Sequence, residues 1–414
     1  MHLKHIKNLG LSDLENKYIL VRVDWNVPMN AELISDSTRI TSSIQTIEHL
    51  VQHKAKVLIL THFGRPQCAR EQYKNTQQYD LFAFEEEYSL KHLKAEIEKN
   101  LKHPLLFIDN LLDPETQNSL LKMKAGDIAL CENVRFYGGE EHNDEKLAQT
   151  LSELGDIFVN DAFACSHRSH VTTVGLSKYL PSYAGFNVAN EINYLEKITQ
   201  SPTRPLWAIV GGSKISTKID ILKSLIQKVD GVIITGAMAH TFMKAKSLSV
   251  GNSLWEPNHI ETALDILKQS PCEIILPVDG YGGETLSEPP QLFSAHTIPE
   301  NKCFFDIGPE SFKLFEAKLK NAKTILWNGP SGVFEQSPYD WGSMQIAKLC
   351  AQLTSTHGVI TLAGGGDTLS ALSQTQQYFG IDYSKQFSFL STGGGSFLEW
   401  IEKGILPGIK PLYK

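Results

Sequence analysis

Residues 206–218, Leu206-Trp207-Ala208-Ile209-Val210-Gly211-Gly212-Ser213-Lys214-Ile215-Ser216-Thr217-Lys218, run from an unbroken apolar stretch through a glycine pair to two lysines. The apolar stretch is short and bounded by glycine, which reads as a strand covered on both faces. Beyond the glycines, Ile215, Ile219, Leu222, Ile226 and Val229 keep helical spacing along one apolar face, and residues 231–235 read as the next strand. Strand, glycine turn, helix and strand make a βαβ unit, whose two strands must be parallel.

The same alternation continues along both flanks. Residues 18–23, 56–61, 105–108, 128–130 and 156–159 read as strands before it, and 273–278, 324–327, 359–363 and 387–390 after it, with helical patterns between. A chain of 414 residues exceeds one ordinary core. Between the two sets Val188, Ile192, Leu195 and Ile198 have helical spacing, and Ser201-Pro202-Thr203-Arg204-Pro205 then stops the helix. The expected fold is therefore α/β, two doubly wound parallel-sheet (Rossmann-like) domains joined by a helical hinge. The expected limits are 1–186 with a tail 403–414, a connector 187–204, and 205–402. The polar stretch 67–87 reads as a surface insertion, and the tail, with Pro407 and Pro411, as extended.

Composition narrows the partners. With 42% hydrophobic and 21% charged residues and a net charge of −7, a general nucleic-acid-binding surface is not expected, and any anion site must be locally basic. No window reaches the roughly 18 apolar residues of a membrane span, and the first residues lack the apolar core of a signal peptide. Six scattered cysteines show neither a C-x-x-C pair nor zinc spacing, which suits reduced thiols in the cytoplasm.

All seven arginines lie at or before Arg204, whereas the glycine clusters 211–212, 364–366 and 393–395 follow it. Arginine forks hold carboxylates and phosphates through side chains; glycine loops hold phosphates through backbone N–H groups. The halves thus read as holders of two different anions, bound beyond the carboxyl ends of parallel strands. In the first half, Asp24 and Asn26 follow the first strand and suit either hydroxyl binding or turn capping. His62, Gly64 and Arg65 follow the second strand; Arg39, Arg135 and Arg168 add cations suited to a small phosphate–carboxylate substrate. His62, His167 and His170 are read as electrostatic or hydrogen-bonding groups and lack metal-motif spacing.

In the second half, Lys214 and Lys218 are four apart and are expected on one face of the first helical turns, where an anion at the positive helix end offsets their crowding. The P-loop spacing is absent. Gly364-Gly365-Gly366-Asp367-Thr368 follows another strand; Asp367 suits either an N-cap or a magnesium anchor beside a phosphate. Gly393-Gly394-Gly395 precedes Ser396 and Glu399 at capping-box spacing. Asn328 and Glu335, in the loop 328–335 with Pro330, suit ribose hydroxyls or a plain turn. No G-x-G-x-x-G is present, which opposes the rival reading, an NAD-dependent dehydrogenase of similar architecture; a non-enzymatic scaffold is a further rival.

In this order, Val21-Arg22-Val23-Asp24-Trp25-Asn26-Val27-Pro28, His62-Phe63-Gly64-Arg65-Pro66, the segments 132–136 and 160–163, Gly211 with the loop to Lys218, and the segments 327–335, 364–368 and 391–395 resemble the phosphoglycerate kinase family over the whole chain. The resemblance implies reversible phosphoryl transfer from 1,3-bisphosphoglycerate to ADP, giving 3-phosphoglycerate and ATP, without a general base. It implies Asp24, Asn26, Arg39, His62, Gly64, Arg65, Arg135 and Arg168 for the phosphoglycerate, held by the first domain. It implies Gly212, Ser213, Lys218, Gly236, Asn328, Pro330, Glu335, Gly365, Gly366, Asp367 and Thr368 for the nucleotide, with Mg²⁺ on Asp367. Arg39, Lys214, Lys218, Gly366 and Gly394 are expected to surround the transferring group after hinge closure. A cytoplasmic monomer without nucleic-acid or membrane partners is expected, its tail returning to the first domain. The sequence departs from the family at Trp25, Thr61, Phe63 and Gly236-Ala237-Met238-Ala239. Phe389 stands where relatives often carry a histidine thought to pair with a glutamate matching Glu191, so that ionic hinge contact cannot form.

Overall fold

The computed structural model describes residues 2–30 and 33–414. It divides into two compact units, the chain up to Asn193 together with Ile405–Lys414, and Tyr194–Gly404.

In the first unit six parallel strands, β1 (Tyr18–Arg22), β2 (Lys56–Leu60), β3 (Leu105–Ile108), β4 (Ile128–Cys131), β5 (Ile157–Asn160) and β6 (Ser182–Ala184), stand in the order β3-β4-β2-β1-β5-β6. Successive side chains of a strand face opposite ways. Ile19 and Val21 accordingly join Val57, Ile59, Ile47 and Leu50 in one apolar cluster, where α1 (Ile44–Gln52) packs. Leu20, Leu58 and Leu60 join Leu147 and Leu151 in the other. Burial on both faces is the physical reason these strands read as continuous apolar runs. The stretch 67–87 is largely exposed and includes α2 (Cys68–Thr76), whose buried Tyr73 stacks on His142 at 4.7 Å and donates to Asp144 at 2.6 Å. The tail is not simply extended. It ends in a 3₁₀ turn at Lys410–Leu412 with Leu406, Ile409 and Leu412 buried, and pairs Lys4 N–H with Leu412 O at 2.8 Å and Gly408 N–H with Ser166 O at 2.8 Å.

The border between the units falls within α3 (Phe186–Thr199), inside the expected connector 187–204. In the second unit β7 (Leu206–Val210), β8 (Gly231–Ile234), β9 (Glu273–Ile275), β13 (Thr324–Asn328), β14 (Ile360–Gly364) and β15 (Phe389–Ser391) form a parallel sheet ordered β9-β8-β7-β13-β14-β15. Between β9 and β13 lies an antiparallel sheet, β10 (Asp279–Gly283), β11 (Gln291–Ser294) and β12 (Cys303–Ile307), that the sequence reading missed. The expected strand 273–278 stops at Ile275, two residues before Pro277, which cannot donate to a ladder.

The helices that matter are α4 (Ile219–Leu225), α5 (Met238–Ala245), α6 (Trp341–His357), α7 (Gly366–Ser373) and α8 (Gly395–Lys403). Two helix starts differ from expectation. Lys218 caps α4 instead of lying within it, so Lys214 and Lys218 share no helical face. Gly394, at φ 51°, caps α8 and Ser396 is buried inside it, so the capping-box spacing is not used. Phe389, unable to ion-pair, stacks on Tyr194 at 4.4 Å and 14°. Among the described residues no helix is long and apolar enough to cross a membrane.

Candidate active site

In the first unit the expected residues gather at the carboxyl ends of β1, β2, β4 and β5. Arg22 ends β1 with its guanidinium buried, donating to Thr172 Oγ1 at 2.9 Å, to Val23 O, and to His62 Nδ1 at 3.1 Å. His62 Nδ1 is therefore an acceptor, and the hydrogen of the neutral ring sits on Nε2. Burial, then Arg22, Arg135, Arg168 and His170, hold His62 well below its ordinary pKa. Burial and the same three arginines pull His170 down to about 3. Both rings are neutral at working pH and cannot be imidazolium acids there.

Arg39 Nη1 lies 2.5 Å from Asp24 Oδ2, whereas Asp24 Oδ1 is buried without a hydrogen-bond partner. Asn26 Oδ1 accepts from Gly64 N–H at 2.8 Å, and Gly64 O accepts from Arg135 Nη1 at 2.6 Å. Gly64 thus positions Asn26 and Arg135, and its φ of 62° with Tyr88 packed where a Cβ would stand leaves room only for glycine. Arg135 also pairs with Glu141 at 3.1 Å. Arg168 Nε contacts His167 Nε2 at 3.2 Å, and Arg65 is exposed. Trp25 and Thr61, both departures from the family, are linked: Trp25 N–H donates to Thr61 Oγ1 at 3.0 Å. Arg22, the last residue of β1, was assigned no role from the sequence, and its buried contacts are visible only in the fold.

In the second unit the chain turns in opposite directions from β7 and β13, so a crevice opens between their carboxyl ends. The two loops touch through glycine: a Cβ on Gly211 would stand 2.0 Å from Pro330 O, and one on Gly329 2.2 Å from Gly211 O. Lys218 Nζ reaches back over this crossing to donate to Gly211 O at 2.5 Å and Asn328 Oδ1 at 2.7 Å. Asn328 Nδ2 donates to Gly364 O at 2.7 Å, so both ends of its amide help to hold the loops. Thr368 Oγ1 accepts from Gly329 N–H at 2.7 Å and donates to Gly364 O at 3.0 Å. Lys214 is exposed.

Gly365, at φ 99°, is the N-cap of α7, so Asp367 is not the cap; it lies exposed in the first turn. No atom lies within 4 Å of where a Cβ on Gly366 or Gly394 would be, so both helix starts are open. Next to the start of α7 lies a cavity of about 600 Å³ lined by Gly212, Ser213, Gly236, Pro330, Glu335 and Asp367. Of its further walls, Ala237 and Val333 lie in segments already singled out, whereas His240, Leu254 and Phe304 escaped the sequence reading. Asp306, another lining residue, accepts from Gly342 N–H at 2.6 Å, Ile307 N–H at 2.8 Å and Ser331 Oγ at 3.1 Å, fixing the loop after β13. An isolated aspartate in a phenylalanine-rich strand gives no sequence signal.

The comparisons with known proteins bear on this arrangement. The family model described as "Phosphoglycerate kinase" matches residues 7–404. The chain belongs to the phosphoglycerate kinase family. The phosphoglycerate kinase of Granulibacter bethesdensis is 39% identical over 405 residues, 97% of each chain, and that of Borrelia garinii subsp. bavariensis is 39% identical over the full length of both. The solved phosphoglycerate kinase of Coxiella burnetii aligns with TM-score 0.86 at 35% identity over 99% of each chain. That of Pyrococcus horikoshii aligns with TM-score 0.81 at 25% identity, over 99% of this chain and 98% of its own. The activity is reversible phosphoryl transfer in glycolysis, and the dehydrogenase alternative finds no support.

Proposed function

We propose that the first unit holds 3-phosphoglycerate or 1,3-bisphosphoglycerate through Arg39, Arg65, Arg135 and Arg168, with Asp24, Asn26 and His62. The second holds ADP or ATP at the β7–β13 crevice and the open start of α7. The observation that carries this reading is Lys218, drawn over the crossing of two glycine loops, together with the start of α7, where nothing stands within 4 Å of a Cβ position on Gly366. A nucleotide phosphate there meets a cation and the positive end of a helix together.

A carboxylate is its own nucleophile, so no base is needed, and neutral His62 serves as a hydrogen-bond donor through Nε2. Catalysis rests on positioning and charge neutralisation. Arg39 and Lys214, both exposed enough to move, approach the transferring group when the units close about α3. Amides at Gly366 and Gly394 complete the enclosure and exclude water. Asp367 fits magnesium: an exposed carboxylate beside the phosphate position is the hard oxygen donor that Mg²⁺ shares with phosphates. When bound, the ion neutralises phosphate charge. The cluster Asp24, His62 and Cys165 does not fit, since its ring nitrogen already accepts from Arg22 and a thiol is a soft ligand. The enzyme is proposed to act as a cytoplasmic monomer.

A coupled assay with ATP and 3-phosphoglycerate is expected to show turnover, and Asp367→Asn to need about tenfold more magnesium for half-maximal rate. An unchanged requirement would remove Asp367 from the metal site. X-ray scattering is expected to show compaction only with both ligands; a constant radius of gyration at saturation would contradict closure.

Burial pulls the Lys218 ammonium down to about 8, against the raising effect of Asp367. The group is cationic below that pH and neutral above it. Affinity for ADP in the absence of phosphoglycerate is therefore expected to weaken between pH 7 and 9, and to lose that dependence in Lys218→Arg, whose guanidinium stays charged. Flat wild-type affinity across this range, measured by titration calorimetry, would exclude Lys218 from phosphate binding.

A further inference from the structure

His240, on α5, lines the cavity of the second unit and is 8% exposed. Its Nδ1 lies 2.9 Å from Leu254 O. A carbonyl can only accept, so the ring hydrogen must sit on Nδ1, and Nε2 carries a bare lone pair. Nε2 has no protein partner among the described residues and is not one of the fully buried atoms, so it is left for a ligand in the cavity that His240 lines. Burial pulls the ring down to about 4, so it stays neutral at working pH and Nε2 cannot become a donor there. Phe304 stands at 5.9 Å, tilted by 33°, and Leu254 and Val333 add apolar wall. This end of the cavity therefore suits a flat ring system and offers it one fixed acceptor.

We infer that His240 Nε2 accepts a hydrogen bond from the exocyclic amino group of the nucleotide base, which makes His240 a specificity residue for 6-aminopurines over purines lacking that donor. The inference rests on the placement of the nucleotide in this cavity. Adenine presents its N6 amino hydrogens on the edge of a flat ring, the donor such a site requires. A purine with hydrogen at C6 would leave Nε2 buried and unpaired, and a site built around a hydrogen bond rejects a ligand that cannot make it.

The test compares ADP with purine riboside 5′-diphosphate, identical except for the missing amino group, as acceptors of the phosphoryl group. Wild type is expected to show a KM about tenfold lower for ADP, the worth of one such hydrogen bond. His240→Asn keeps an amide donor near the Nδ1 position for Leu254 O and removes the Nε2 acceptor. It is expected to raise the KM for ADP about tenfold and leave that of the analogue unchanged, bringing the ratio near one. His240→Phe, which keeps the ring volume, gives the same readout if the asparagine variant does not fold. Equal KM values in wild type, which need no variant, would overturn the inference. So would a ratio preserved in the variants. If His240→Asn and the cavity-filling Val333→Trp both leave the two KM values unchanged, the nucleotide lies elsewhere and the functional reading fails instead.

Discussion

Replacing Arg39 by alanine is expected to lower kcat by roughly 10³-fold, about 4 kcal/mol of transition-state stabilisation, while the KM for ADP stays within a factor of three. Two observations support a loss of this size. The guanidinium is only partly buried and tied to a single carboxylate, Asp24, so it can turn toward incoming phosphate oxygens. Asp24 also depends on it: Oδ1 is already buried without a hydrogen-bond partner, and losing the 2.5 Å contact at Oδ2 leaves a carboxylate uncompensated beside the substrate. Arg39→Lys should fall between, because a point charge replaces a fork. Arg204→Ala serves as control; its exposed pair with Asp230 at 2.7 Å belongs to no proposed site, and turnover should be unaltered. Steady-state kinetics decide, and a kcat for Arg39→Ala within tenfold of wild type removes Arg39 from the transferring group.

Gly211→Ala is expected to destabilise the second unit by about 3 kcal/mol and to raise the KM for ADP by more than tenfold. Here the constraint is backbone against backbone. A methyl group would meet Pro330 O at 2.0 Å and Gly329 O at 2.6 Å, whereas carbon and carbonyl oxygen rest at roughly 3.3 Å or more. Neither obstacle is a side chain that can swing aside. The loops after β7 and β13 must part, which strains the 2.8 Å bond from Gly211 N–H to Asn328 O and shifts both acceptors of Lys218. Gly366→Ala is the matched comparison: nothing lies near its Cβ position, so stability should change by less than about 0.5 kcal/mol. Urea midpoints read the first effect and initial-rate kinetics the second. Equal midpoints for Gly211→Ala and wild type would show that the crossing tolerates separation.

Much of this architecture was legible because β1, β2, β7 and β13 are buried on both faces and so carry unbroken apolar runs. Strands without that demand stayed hidden. β10 is Asp279-Gly-Tyr-Gly-Gly, where small residues admit the close approach of Cys303 O and Phe304, and composition of that kind reads as a loop. β6, Ser182-Tyr-Ala, is three residues long, and beyond β5 it meets just a single bridge, from His5 to Ala184. The helical periodicity from Ile215 placed the start of α4 too early, because Ile215 is buried without being helical and Lys218 turns back toward Gly211. At the site, charged residues in loops announced themselves. Arg22, Asp306 and His240 did not, since each lies within a regular element, and only three-dimensional neighbours reveal what its polar atoms face.

The tail has a consequence for the order of assembly. Ribosomes release a chain from its N-terminus, and domains generally fold as they emerge. Tyr194–Gly404 is one continuous segment and holds everything its sheet requires. The first unit is different: Lys4 waits for Leu412, Ser166 for Gly408, and Asn160 Nδ2 for Gly408 O at 2.9 Å. The part of the enzyme made first is thus the part sealed last, and a nascent chain arrested before Ile405 would carry a finished second unit and a first unit whose seam is still open.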